Sequence, residues 1–287
     1  MKINPQIGNP IDFIARKSRK RREEDIKKIV WDIGGKAAPD SYRLDSGEEP
    51  GKRFYGYIRE DGALVLSADD KVDVTDVYCD MFADICNCEE IELGFFDLSE
   101  MTHTDYMFSG CHSLRKIYDI LDIQKAESAS SMFENCYSLE RVDGIITGSL
   151  IHAERMFRNC WELSSCQNIG FKKKAKCSCN EMFSSCENLK EACLINADCI
   201  NAKEMFMNCS SLQRVCFADG GITDSVDINA EKAFRNCVSL SEIFMDNWFT
   251  NAKGKQTFEN CRSLYGYKHS FTSAFDSSLY VSTPLPF

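Results

Sequence analysis

Sixteen cysteines and four histidines carry most of the reactive chemistry open to this 287-residue chain. The histidines, His103, His112, His152 and His269, form no His-Glu-x-x-His pair or other metal-ligand spacing. Cys177-x-Cys179, with Cys186, Cys193 and Cys199 close behind, raises zinc or redox chemistry, yet the spacing is not the paired Cys-x-x-Cys of a structural zinc site. Gly-x-Ser-x-Gly, a Walker loop and a dinucleotide fingerprint are all absent, and Gly34-Gly35-Lys36 reads as a helix stop. The sequence therefore nominates no catalytic residue, metal ligand or cofactor, and a non-enzyme is expected. A cysteine nucleophile served by a distant histidine stays open at this level.

Seven of the cysteines are explained by a repeat. Met-Phe-x-x-Cys-x-x-Leu-x-x-Ile/Val occurs at Met107-Phe108 with Cys111, Leu114 and Ile117, and at Met132-Phe133 with Cys136, Leu139 and Val142. It continues at Phe157, Phe183 and Phe206, and loses its Met at Phe234 and Phe258. A first copy at Met81-Phe82 places Ile85 in the Cys slot. The eight phenylalanines are 23 to 28 residues apart, the window in which each unit supplies a short parallel strand and a return segment. With Phe as position zero, Cys at plus three and Leu at plus six share one side of a helical turn that runs into a strand. Small residues at minus four (Ala129, Ala153, Cys179, Ala202, Ala230) leave room for the neighbouring Phe, and Asn at plus two suits the end of a turn. Seven cysteines (111, 136, 160, 186, 209, 237, 261) are expected as a buried ladder; nine are left to explain. Cys193 and Cys216 share the plus-ten slot on adjacent units, where a cross-strand bridge is one reading and reduced packing thiols another.

This pattern resembles the BspA-like leucine-rich-repeat surface proteins, most closely at Phe95-Phe96-Asp97-Leu98-Ser99 followed by Met107-Phe108-Ser109-Gly110-Cys111-His112-Ser113-Leu114. The resemblance covers residues 78–268 and implies a leucine-rich-repeat solenoid, and with it a surface or adhesion role. The expected fold is an α/β repeat solenoid of short parallel strands, preceded by a long helix and a capping β-hairpin. Its parts are a basic helix within 1–35, a linker and hairpin over 36–77, eight units over 78–268, and a cap or tail over 269–287.

The helix is expected to run over 10–33, with Asn9 as N-cap and Pro10 at its first turn. Arg16, Lys17, Arg19, Lys20, Arg21 and Arg22 make a basic run that suits a nucleic acid or an acidic partner, although Glu23, Glu24 and Asp25 four residues on would neutralise much of it. Phe54–Ile58 and Ala63–Leu66 around Asp61-Gly62 read as a hairpin able to cover the open end of the stack. On the outward strand slots, Glu90, Lys116, Arg141, Glu191, Arg214 and Glu242 at plus eight, and Glu92, Tyr118, Asp143 and Phe244 at plus ten, are the expected partner-binding face.

Net charge is -10, with a basic N-terminal section and an acidic repeat region. That balance disfavours nonspecific nucleic-acid binding by the repeats and fits a basic protein partner. No apolar run is long enough to span a bilayer and the start has no secretory h-region, so a cytoplasmic location, bacterial or host, is expected. The leading expectation is an intracellular protein-binding scaffold. The alternatives are an acidic phage- or pathogen-encoded inhibitor of a nucleic-acid-processing or defence complex, of the anti-CRISPR kind, and a surface adhesin.

Overall fold

The computed structural model describes residues 1–18, 26–32, 40–48, 52–118, 120–142, 145–218, 228–245 and 252–264. Arg19, Lys20, Arg21, Arg22, Asp143 and the cap or tail expected over 269–287 lie outside the described residues.

Consecutive units are joined by backbone bonds that cross from coil to coil. The N–H of Phe108 donates to Met132 O, that of Phe133 to Met156 O and that of Phe157 to Met182 O, each at 2.8 Å. From the second unit on, two left-handed residues bend the chain around this segment: Ser131 (φ 55°) and Asn135 (φ 64°) flank Met132-Phe133, and Arg155 (φ 57°) and Asn159 (φ 62°) flank Met156-Phe157. A helix needs each N–H to bond back four residues. Here those N–H groups are taken by the next coil, so the return segment is a run of tight turns rather than the expected helical turn. Asn suits the plus-two slot because it tolerates positive φ, and its amide bonds along the stack: Asn159 Nδ2 donates to Asn135 Oδ1 at 2.8 Å and Asn260 Nδ2 to Asn236 Oδ1 at 2.7 Å.

Inside, eight phenylalanine rings from Phe82 to Phe258 stack with centroids 5.1–5.3 Å apart and planes within 4–11°. Beside them runs the cysteine ladder. Each plus-three thiol donates to the carbonyl of the preceding unit's Phe: Cys111 to Phe82 O at 3.0 Å, Cys136 to Phe108 O at 3.1 Å, Cys160 to Phe133 O at 3.2 Å, and so on to Cys261 with Phe234 O at 3.0 Å. That carbonyl also accepts its own unit's Cys N–H, as Phe133 O does from Cys136 at 3.1 Å. Cysteine thus fills a buried slot while giving a buried carbonyl its second donor. Burial pushes these thiols up, Cys261 to about 12.

The N-terminal part differs from its expectation. Helix α1 is only Pro10–Lys17, capped by Asn9, whose side chain accepts from Ile11 N and Asp12 N. It ends where Ser18 Oγ donates to Ile14 O (2.8 Å) and Ala15 O (3.0 Å). Further on, Lys28-Ile29-Val30-Trp31 forms strand β1 (Lys28–Trp31), because two β-branched residues and a large aromatic gain more from the sheet than from a helix. Ile29 is buried, and Trp31 packs on Phe54, Phe95 and Phe96.

Strands β2 (Tyr42–Arg43), β3 (Phe54–Ile58) and β4 (Ala63–Ala68) are antiparallel neighbours, so part of the stretch expected as linker pairs with the hairpin. Strand β1 lies parallel to β4 on one side and to the first repeat strand on the other, making cap and solenoid one sheet. After β5 (Val72–Asp73), the repeat face runs through β6 (Glu90–Glu92) and, past β7 (Phe96–Asp97), β8 (Lys116–Tyr118). Short β9 (Leu121–Asp122) and β10 (Ile145–Ile146) pair behind it. The front face resumes with β11 (Ser165–Gly170), β13 (Glu191–Ile195), β15 (Arg214–Ala218) and β17 (Glu242–Met245). A second parallel sheet holds β12 (Cys177–Ser178), β14 (Cys199–Asn201), β16 (Ile228–Asn229) and β18 (Ala252–Lys253). The result is a leucine-rich-repeat-type β-solenoid. Among the described residues no helix is long and apolar enough to cross a membrane.

Candidate interaction surface and buried thiol cluster

Register on the strand face follows the spacing of the repeat. Glu90 aligns with Lys116, Arg141 with Ser165, and Ser165 with Glu191, which is followed by Arg214 and Glu242. These outward side chains largely satisfy one another. Tyr118 Oη donates to Glu90 Oε1 at 3.2 Å, Lys116 Nζ lies 4.3 Å from the Tyr118 ring centroid, and Arg214 pairs with Glu191. Exposed pairs of this kind contribute about 0–1 kcal/mol each and are readily exchanged. Glu92 and Phe244 are half-buried at the plus-ten slot, and Glu242 is exposed. From the basic run, Arg16 and Lys17 are exposed in the last turn of α1, with Lys17 Nζ 5.6 Å from the Phe13 ring centroid.

A different row carries stacked aromatic rings. Four residues after each Phe stand His112, Tyr137 and Trp161, stacked with centroids 4.7 and 4.2 Å apart and planes 13° and 16° from parallel. Trp161 is 46% exposed although it is large and aromatic. Coil-to-coil bonds hold the backbone beneath: Ser138 N donates to His112 O at 3.2 Å and Glu162 N to Tyr137 O at 3.3 Å. Ion-paired Arg115 and Glu140, and Asn188 donating to Glu162 at 2.8 Å, complete a polar rim. Reasoning from the strand slots alone does not reach this row. Reading the plus-four slot in the same register does, since residues of one slot stack on consecutive coils.

The other outward row, five residues before each Phe, carries His103 and His152. His103 Nδ1 lies 2.9 Å from Thr102 Oγ1, which donates to Asp76 Oδ2 at 2.6 Å. Asp76 Oδ2 also lies 3.7 Å from His103 Nδ1, so hydroxyl and carboxylate share one ring nitrogen, unlike the two-sided arrangement of a nucleophile–base–carboxylate relay. His152 Nδ1 lies 3.3 Å from Glu154 Oε1, whose carboxylate also takes the Ser130 hydroxyl.

Of the five clustered cysteines, Cys186 belongs to the ladder and Cys193 sits half-buried on the strand face as register partner of Cys216. The other three converge. Cys177, Cys179 and Cys199 are buried, with sulfur separations of 4.0 Å (177–179), 3.3 Å (177–199) and 2.9 Å (179–199). Hydrogen bonding with Cys179 and Cys199 draws Cys177 down to about 5, while burial holds Cys179 well above an ordinary thiol. Their joining depends on a register shift that spacing does not disclose: Cys177 faces Cys199, yet Ser178 faces Asn201.

Comparison with known proteins agrees with the repeat. The family described as Mycoplasma protein of unknown function, DUF285, matches residues 75–197, and the BspA type leucine rich repeat region matches residues 153–265 in 6 copies. A leucine-rich repeat protein from Bacteroides ovatus ATCC 8483, known from a crystal structure at 1.19 Å, is 14% identical over 80% of this chain and 81% of that one, with a TM-score of 0.23. No curated protein matches the chain. With its registered Met-Phe-x-x-Cys-x-x-Leu units, its stacked parallel coils and the match over residues 153–265, the chain is a leucine-rich-repeat protein whose repeats are similar to the BspA type.

Proposed function

We propose that the protein is a non-enzymatic recognition scaffold that binds a protein partner through the outer row His112, Tyr137 and Trp161, with the mixed-charge strand face alongside. The observation that carries this reading is a pre-stacked aromatic row, exposed at His112 and Trp161 and half-buried at Tyr137, on a backbone fixed coil to coil. Rigid Tyr and Trp side chains give large contact area at small entropic cost, and such residues dominate binding energy at interfaces. Strand-face pairs such as Glu191 with Arg214 then supply charge that a partner can re-pair. An intracellular setting is part of the proposal: seven ladder thiols donate S–H to carbonyls, which only reduced cysteine does, and a reducing compartment keeps them so.

A photo-cross-linking amino acid placed at position 161 in the full-length protein, expressed in its own cells, tests the reading. One discrete protein adduct is expected from position 161 and none from position 229 on the other outward row. Equal labelling from both positions, or no protein adduct from 161, overturns it.

A further inference from the structure

We propose that Cys177, Cys179 and Cys199 form a zinc site that ties two consecutive coils together, with the Asp198 carboxylate as fourth ligand. Three observations converge on it. First, the thiols are wholly enclosed and contact one another, unlike the ladder cysteines, each of which points at a Phe carbonyl. A zinc ion about 2.3 Å from three sulfurs holds them about 3.8–4.0 Å apart. The 177–179 separation is already 4.0 Å, and the other two, 3.3 and 2.9 Å, need to open by only about 0.5–1 Å.

Second, the local backbone is built to bring the third thiol in. The unit between Phe183 and Phe206 is the shortest of the repeat, and its strand β14 carries a bulge against β12. Ile200 is the extra residue and turns outward, 37% exposed, while Cys199 turns inward opposite Cys177. Bulges recur beside functional sites because they re-aim one side chain. Third, Asp198 Oδ1 is buried with no hydrogen-bond partner among the described residues. Its residue adjoins the cluster, since its carbonyl accepts from Cys177 N at 3.0 Å, and its carboxylate, which is not within 4.8 Å of all three sulfurs, swings toward them on binding. A buried carboxylate oxygen without a donor is costly, and a cation bound by three thiolates satisfies it.

Three sulfurs and one oxygen suit a closed, four-coordinate structural zinc site. Binding releases the remaining thiol protons and stabilises the folded chain. The test uses the full chain, reduced and stripped of metal, titrated with Co2+ and then Zn2+. One Co2+ per chain is expected, with a thiolate-to-cobalt charge-transfer band that Zn2+ abolishes and a melting temperature raised by Zn2+. Cys199→Ser weakens binding at least a hundredfold; Asp198→Asn keeps the charge-transfer band but changes the cobalt d–d spectrum. Because Cys199→Ser removes a core side chain, a second variant, Cys193→Ser/Cys216→Ser, removes the half-buried cysteine pair in register on the strand face and keeps full binding. A folded chain with no charge-transfer band, a band lost in Cys193→Ser/Cys216→Ser, or an alkylated, unreduced digest showing Cys179 joined to Cys199 overturns the proposal.

Discussion

Replacing one ring of the phenylalanine ladder measures how much of the stability passes from coil to coil. Phe157 lies between Phe133 at 5.2 Å and Phe183 at 5.3 Å, nearly parallel to both. Phe157→Leu keeps most of the buried apolar volume, so the swap itself costs under about 1.5 kcal/mol. It also removes two ring pairs, each contributing about 0.5–1.5 kcal/mol beyond area burial, or about 1–3 kcal/mol together. Phe133→Leu costs a similar amount for the same reason. In the double variant the shared pair is lost once and not twice, so urea unfolding followed by far-ultraviolet circular dichroism is expected to give a coupling of about 0.5–1.5 kcal/mol. Phe82 and Phe157 have two rings between them. Phe82→Leu combined with Phe157→Leu is therefore additive within about 0.5 kcal/mol. No coupling between 133 and 157, or equal coupling between 82 and 157, refutes the nearest-neighbour stack.

Asn236 receives the amide of Asn260 at 2.7 Å, gives its own to Asn208 at 2.8 Å, and has φ 64°. Asn236→Ala is expected to cost about 2–4 kcal/mol, two hydrogen bonds plus a left-handed backbone, and Asn236→Gly to recover about 1 kcal/mol of it in denaturant melts. Burial works against ionisation of Asp45, yet Arg43 and the amides of Phe54 and Gly47 hold its carboxyl below the ordinary range. Its contribution is then present above the unfolded value near about 4 and lost as pH falls through the folded value, so Asp45→Asn flattens the acid limb of a stability–pH curve. Alkylation of the native protein is expected to reach half-buried Cys86 and Cys216 and to spare the seven ladder thiols until unfolding, as peptide mapping would show.

Much of this architecture is legible in the spacing of the phenylalanines. A solenoid stacks identical slots, so fixing Phe as zero places Cys136 under Phe108 and Lys116 beside Glu90 before any coordinate is known. The same register holds His112, Tyr137 and Trp161, although outward residues are naturally sought on strands and not on turns. Two features escape it for physical reasons. The expected helix does not extend to residue 33, because Ile29 and Trp31 are claimed by a sheet whose other strands come from distant sequence. The thiol trio depends on a one-residue bulge at Ile200 that local pattern does not encode, so Cys199 cannot be paired with Cys177 by counting.

The central claim, recognition through the outer aromatic row, is tested most directly by affinity. The partner captured at position 161 would be titrated against the wild-type chain, Tyr137→Ala/Trp161→Ala, and Glu191→Ala/Arg214→Ala, with folding checked by circular dichroism. Removing the two rings is predicted to weaken binding at least tenfold, about 1.4 kcal/mol or more, with the strand-face variant losing less. Undiminished affinity in folded Tyr137→Ala/Trp161→Ala, or a larger loss from the strand-face variant, contradicts the account.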